Sequence, residues 1–154
     1  MPECPLPGAC NQKNVVYQAT VNVAANPNQP GEPEYREDLN YVGLAQDFKP
    51  RYRDHKSSFK HRSKSKKTTL AGHYWKCKDE GLAPKVSWKV LENAPTFNPI
   101  TGICLLCLRE KFQIIMNPHL AKLNSRCEIF SACRHKYSKL IIPIAEESES
   151  VDPT

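Results

Sequence analysis

Apolar and polar residues alternate along residues 14–24 (NVVYQATVNVA), which puts Val15, Tyr17, Ala19, Val21 and Val23 on one face of a predicted strand. Residues 26–34 (NPNQPGEPE) cannot continue it, since their prolines and glycine break a ladder. Alternation returns over residues 35–44, giving a hairpin with a long connection. Asp47 then stands as an N-cap with Pro50 in the first turn, and the spacing predicts a helix to about residue 61 that buries Phe48, Tyr52 and Phe59. A basic connector (SKSKK, 63–67) leads to a second helix over 69–80, with Leu70, His73, Tyr74 and Cys77 at helical spacing and a stop at Gly81 and Pro84. Over 85–91 Val86, Trp88 and Val90 alternate with Lys85, Ser87 and Lys89, a half-buried third strand. Residues 93–102 read as a loop with two prolines, and 105–116 as an apolar helix ended before Pro118. A short segment over 119–124 precedes a stretch with helical character over 127–142.

The resulting order, β-β-α-α-β-α, predicts an α+β domain: a small three-stranded antiparallel sheet flanked by helices. It divides into a cysteine-containing N-terminal arm (1–13), the folded domain (14–142) and an acidic, disordered tail (143–154).

At 154 residues the chain suits a single domain with a real core. No apolar run approaches the ~20 residues that cross a bilayer. The start, MPECPLPGAC, has neither the basic nor the apolar region of a secretory signal. The expectation is a soluble, intracellular and, given a DNA target, nuclear protein. The net charge of +6 is unevenly spread, since nine of the 22 Lys and Arg residues lie between Lys49 and Lys67, where Asp54 is the sole acid. A polyanionic partner fits that segment, with Lys49, Arg53, Lys56, Lys60, Arg62, Lys64, Lys66 and Lys67 as candidate nucleic-acid contacts.

Arg51 and His55 fall one turn apart on the first helix, hence on one face, ten and fourteen residues beyond Tyr41. Hydrolysis of a phosphodiester needs an activated water, neutralisation of the phosphoryl oxygens and stabilisation of the leaving alkoxide. Tyr or His relays protons, a guanidinium grips phosphate in its plane, and a carboxylate-held divalent metal supplies Lewis acidity. Tyr17, Tyr41, Arg51, His55 and Glu110 supply these types from separate elements.

These residues resemble the GIY-YIG nucleases. Val15-Val16-Tyr17 stands at the first motif and Tyr41-Val42-Gly43 at the second, with Arg51 and His55 at the spacing of the family's Arg and His. Two valines replace the Gly and Ile of the first motif, and the connection from Gln18 to Asn40 is long for the family. A narrower resemblance spans about residues 3–141. It runs through Cys4-Pro5-Leu6, Cys10, Val16-Tyr17-Gln18-Ala19-Thr20-Val21, His55-Lys56-Ser57-Ser58-Phe59, Cys104-Leu105-Leu106-Cys107-Leu108 and Cys133-Arg134-His135-Lys136. Taken together, these look like the C-terminal endonuclease domains of Penelope-like and related retroelements. The resemblance implies a DNA-nicking endonuclease in which Glu110 holds one Mg²⁺ or Mn²⁺ and Tyr17, helped by His55 or Tyr41, takes a proton from water. Arg51 would then neutralise phosphoryl charge and Asn124 orient the substrate. A reverse transcriptase domain or element RNA would be the partner in the parent setting.

Seven cysteines in such a chain favour metal over a disulfide framework. Cys104 and Cys107 form a C-x₂-C pair, Cys4 and Cys10 a C-x₅-C pair, and four converging thiolates would make a closed structural Zn²⁺ site. Cys133 with His135 is the competing ligand pair. The rival to the enzyme is a zinc-stabilised nucleic-acid-binding module that has lost turnover.

Overall fold

The computed structural model describes residues 5–6, 10–24, 37–124, 133 and 135. Strand β1 (Lys13–Ala24) occupies the centre of a three-stranded antiparallel sheet, between β2 (Leu39–Asp47) and β3 (Ala83–Asn93). The architecture is α+β. The hairpin register runs from Lys13 opposite Asp47 to Val21 opposite Leu39. Between β1 and β3 the register slips at Val16/Tyr17, so Glu92 lies opposite Val16 and Val90 opposite Tyr17. Such a bulge re-aims side chains near the end of a strand.

Each face of the sheet carries its own helices. Helix α1 (Phe48–Lys60) starts where the Asp47 side chain accepts the Lys49 N–H, and α2 (Thr69–Asp79) where Thr68 accepts from Ala71. Both cover the face bearing Val15, Tyr17, Ala19, Val21, Tyr41 and Ala45, with Phe48 and Leu70 as their buried contacts. Helix α3 (Leu105–Met116) covers the reverse face, where Val16 and Val42 meet Leu106 and Ile114. The alternation of β1 therefore feeds two cores, one from its odd and one from its even positions.

The expected loop over 93–102 contains a short strand, β4 (Phe97–Asn98), which pairs with β5 (Ile103–Cys104) and leads straight into α3. Beyond α3 the chain makes a 3₁₀ turn at Pro118–Leu120 and returns to the outer edge of β2, where Leu123 N–H donates to Asn40 O at 3.0 Å. Among the described residues no helix is long and apolar enough to cross a membrane. The expected loop over 26–34, the tail from 143 and nearly all of 127–142 lie outside the described residues.

Candidate active site and metal centre

Tyr17 projects from the middle of β1 into the α1 side of the sheet and is fully buried. Its hydroxyl lies 2.7 Å from His55 Nε2 and accepts from Arg51 Nε at 3.3 Å. With His55 as the Nδ1–H tautomer, protons point one way along this chain, from guanidinium to phenol and from phenol to imidazole. Arg51 and His55 reach the same oxygen because they are one turn apart on α1. Tyr41 completes the group, its ring edge-on to His55 at 6.1 Å. Phe48 and Trp88 wall the phenol at 5.4 and 5.8 Å between ring centroids.

The charges follow from this packing. Burial, with repulsion from Arg51 second, pushes the His55 pKa down to about 3, so the imidazole is uncharged at neutral pH. Burial also pulls on Arg51, but the adjoining Tyr17 and Tyr41 phenols outweigh it and hold the guanidinium above its usual value. The cluster is thus a neutral base and a fixed cation about one phenol.

Gly43 explains why the second motif ends in glycine. It lies opposite Tyr17 in the hairpin register, and a Cβ there would come within 2.5 Å of the Tyr17 hydroxyl oxygen. The phenol crosses β2 only because position 43 has no side chain. Trp88 is the member of this site that motif spacing did not single out, and the motif named Gly43 without a role. A large ring in an alternating strand was the available signal for Trp88.

The structure therefore brings together Tyr17, Tyr41, Arg51 and His55. Glu110 lies on α3, over the reverse face, half-buried and one turn from both Leu106 and Ile114. By helical spacing position 110 falls between Leu106 and Ile114, on the side of α3 turned toward the sheet. Asn124 is committed to the backbone: its Oδ1 accepts from Val42 N at 2.8 Å and its Nδ2 donates to Val42 O at 2.7 Å. It acts as a one-residue strand on the free edge of β2.

Lys49, Arg53, Lys56 and Lys60 recur at i, i+4, i+7 and i+11 and are all exposed, forming a basic stripe along the outer side of α1. Lys66 and Lys67 are exposed beyond it. Arg62 instead pairs with Asp79 and lies over the Trp75 ring, and Lys64 Nζ donates to Ser57 Oγ at 2.6 Å. Those two cations are engaged within the fold.

At the start of α3, Cys104, Cys107, Cys133 and His135 place their donor atoms within 4.8 Å of one another. His135 Nδ1 stands 3.5, 3.1 and 3.6 Å from the three sulfurs in that order. A tetrahedral ion with ordinary Zn–S and Zn–N bonds has S···N edges of about 3.5 Å, so the donors already sit close to ligand spacing. This group can hold a metal ion. Burial and the neighbouring Cys133 and Cys104 sulfurs push the Cys107 thiol well above its usual range. The expected partnership with Cys4 and Cys10 gives way to the competing pair. Cys10 is held in a disulfide, which leaves it no thiolate to donate, and Cys4 lies outside the described residues.

No family model, curated protein or solved structure matches this chain.

Proposed function

We propose that the chain is a metal-dependent DNA endonuclease of the GIY-YIG type. The observation that carries this reading is the Tyr17 hydroxyl held between His55 Nε2 at 2.7 Å and Arg51 Nε at 3.3 Å, over a glycine that leaves it room. Four residues expected from widely separated motifs meet there, in the arrangement a phenolic general base needs. Neutral His55 accepts the Tyr17 hydrogen bond and orients the phenol, and the fixed Arg51 charge favours negative charge on the phenol oxygen and then on the phosphoryl oxygens. Arg51, half-buried with one side toward solvent, is the member a scissile phosphate would meet first. Glu110 is a half-buried carboxylate, a donor of the hard-oxygen type that Mg²⁺ or Mn²⁺ would take alongside water. Such an ion, when bound, supplies Lewis acidity to the phosphate and the leaving 3′ oxygen.

The exposed stripe on α1 supports DNA as the substrate. The resemblance to retroelement endonuclease domains supports target nicking that primes copying, with a reverse transcriptase as partner. The donor set at the start of α3 supports Zn²⁺ in a structural role, since four protein ligands close a tetrahedron and leave no open position.

A second reading is a zinc-stabilised nucleic-acid-binding module without turnover. The full burial of Tyr17, and the position of Glu110 on the helix of the reverse face, favour it. Supercoiled plasmid with Mg²⁺ or Mn²⁺ separates the two. The enzyme nicks it, Glu110→Ala abolishes nicking, and Arg51→Ala slows it by about 10²–10³-fold with DNA binding retained. Salt-sensitive binding with no nicking by the wild type would establish the module instead.

A further inference from the structure

Among the described residues every large exposed hydrophobic side chain falls in one stretch: Ile100, Ile103, Leu105, Leu108, Phe112, Ile115 and Met116. Four of them, Leu105, Leu108, Phe112 and Ile115, follow one another on α3 at steps of three, four and three residues. That is the spacing of a helix–helix seam, and it lies on the side of α3 away from the buried Leu106 and Ile114. The helix thus has two apolar faces, one spent on the sheet and one bare. Ile103 stands directly before the helix and is 51% exposed, and Phe112 is 44% exposed with the Arg109 guanidinium over its ring at 4.6 Å. Isolated exposed leucines are ordinary, but a contiguous stripe of this kind marks a contact surface.

We infer that this face joins two copies of the chain, α3 packing antiparallel on α3 about a two-fold axis level with position 110 along the helix. The spacing is self-complementary in that arrangement. Leu105 comes level with Ile115 of the second copy and Leu108 with Phe112, so each knob on one helix meets its counterpart twice. With on the order of 150 Å² for a fully exposed large side chain, the four seam residues offer about 300 Å² per copy and all seven about 600 Å², the lower end of what a stable pair buries, so Ile100, Ile103 and Met116 must join the contact. The axis falls on the seam side of α3, whereas Glu110 belongs to the sheet side, so pairing leaves the candidate carboxylate uncovered. This inference stands apart from the endonuclease reading and from the metal at the head of the helix.

Sedimentation of the full chain over a wide concentration range tests it. The wild type is expected to associate to a dimer, and Ile115→Glu, at the end of α3 far from the metal centre, to sediment as a monomer with unchanged circular dichroism. Leu108→Glu is the second variant and should do the same. Removal of the residues beyond 138 should leave the dimer intact. A wild type that stays monomeric to high concentration would overturn the inference. So would a monomer that dimerises only after that removal, because the C-terminal residues would then be the cover. A dimer that survives both Glu substitutions would place the interface elsewhere and overturn it equally.

Discussion

The Tyr17 oxygen lies 2.7 Å from an imidazole that burial keeps uncharged and 3.3 Å from a guanidinium that stays charged. Gly43 is where a shift of the phenol is easiest to impose. Gly43→Ala would bring a methyl to 2.5 Å from the phenol oxygen, with the ring already packed on Phe48 and Trp88. The expected cost is about 1–3 kcal/mol of stability, read as a fall of several degrees in Tm, together with displacement of the phenol and loss of nicking. Unchanged Tm and turnover would show that the phenol does not need its path across β2. His55 gives a pH signature. Its folded pKa, about 3, lies below that of the unfolded chain, so between pH 6.5 and 3 the unfolded state binds a proton that the fold refuses. Stability is therefore full above pH 6.5 and declines as pH falls through this window, by on the order of 3–5 kcal/mol at its lower end. Denaturation midpoints measured from pH 7 to 4 should fall less steeply for His55→Gln than for wild type. Parallel slopes would mean that His55 takes up a proton in the fold.

Helix α3 is tied down at three points: the apolar stripe of Leu106 and Ile114, the paired contacts of Arg109 with Glu92 at 2.9–3.0 Å, and the cluster at its first turn. The cluster ties α3 to Cys133 and His135, so removing an ion bound there should loosen α3 before the sheet. Purified protein is expected to carry about one equivalent of zinc, and Cys133→Ser well under half. Chelation should speed hydrogen exchange in α3 while β1 and β3 keep their protection, and metal-free wild type with unaltered α3 protection would refute a structural ion. The sequence disclosed α3 to the residue because an apolar run is bounded by Pro118, and it disclosed the start of α1 because Asp47 is a side-chain cap. It did not disclose β4 and β5, since two-residue strands have no periodicity to read. Strand β2 begins at Leu39 and runs to Asp47, against an expected 35–44, because pairing with Lys13 sets its far end and no local pattern encodes that partner. Cysteine spacing likewise gave two ligand pairs beside Cys104 and Cys107 without saying which would converge. The answer depends on where the chain goes after β2 receives Asn124.

Across the whole molecule the two faces of the sheet hold different chemistry. The phenol, imidazole and guanidinium lie under α1, and the Cys/His centre and the bare apolar stripe lie with α3. Sequence made the first grouping legible, since motif spacing alone named Tyr17, Tyr41, Arg51 and His55. It could not assign Glu110 to a face, because that depends on which side of a twisted sheet a helix returns to. The charge of the molecule follows the same division. The stripe of Lys49, Arg53, Lys56 and Lys60 runs on the outer side of the helix whose inner side holds Arg51 and His55, with Lys56 resting over the Tyr52 ring at 5.4 Å. The stripe and Arg51 thus lie on opposite sides of α1, so DNA held on the stripe would meet Arg51 only past the edge of the helix. Each phosphate neutralised by such a side chain releases condensed counterions and adds about 0.9 to the slope of log affinity against log salt. Replacing all four by Ala should therefore flatten the slope by about 3–4 and weaken binding most at low salt. Arg62→Ala should change it little, because that cation is already shared between Asp79 and Trp75. Titrations at several salt concentrations read both numbers directly. A fourfold variant with the wild-type slope would mean that DNA follows another path, and Arg51 would then lose its standing as the first contact with the phosphate.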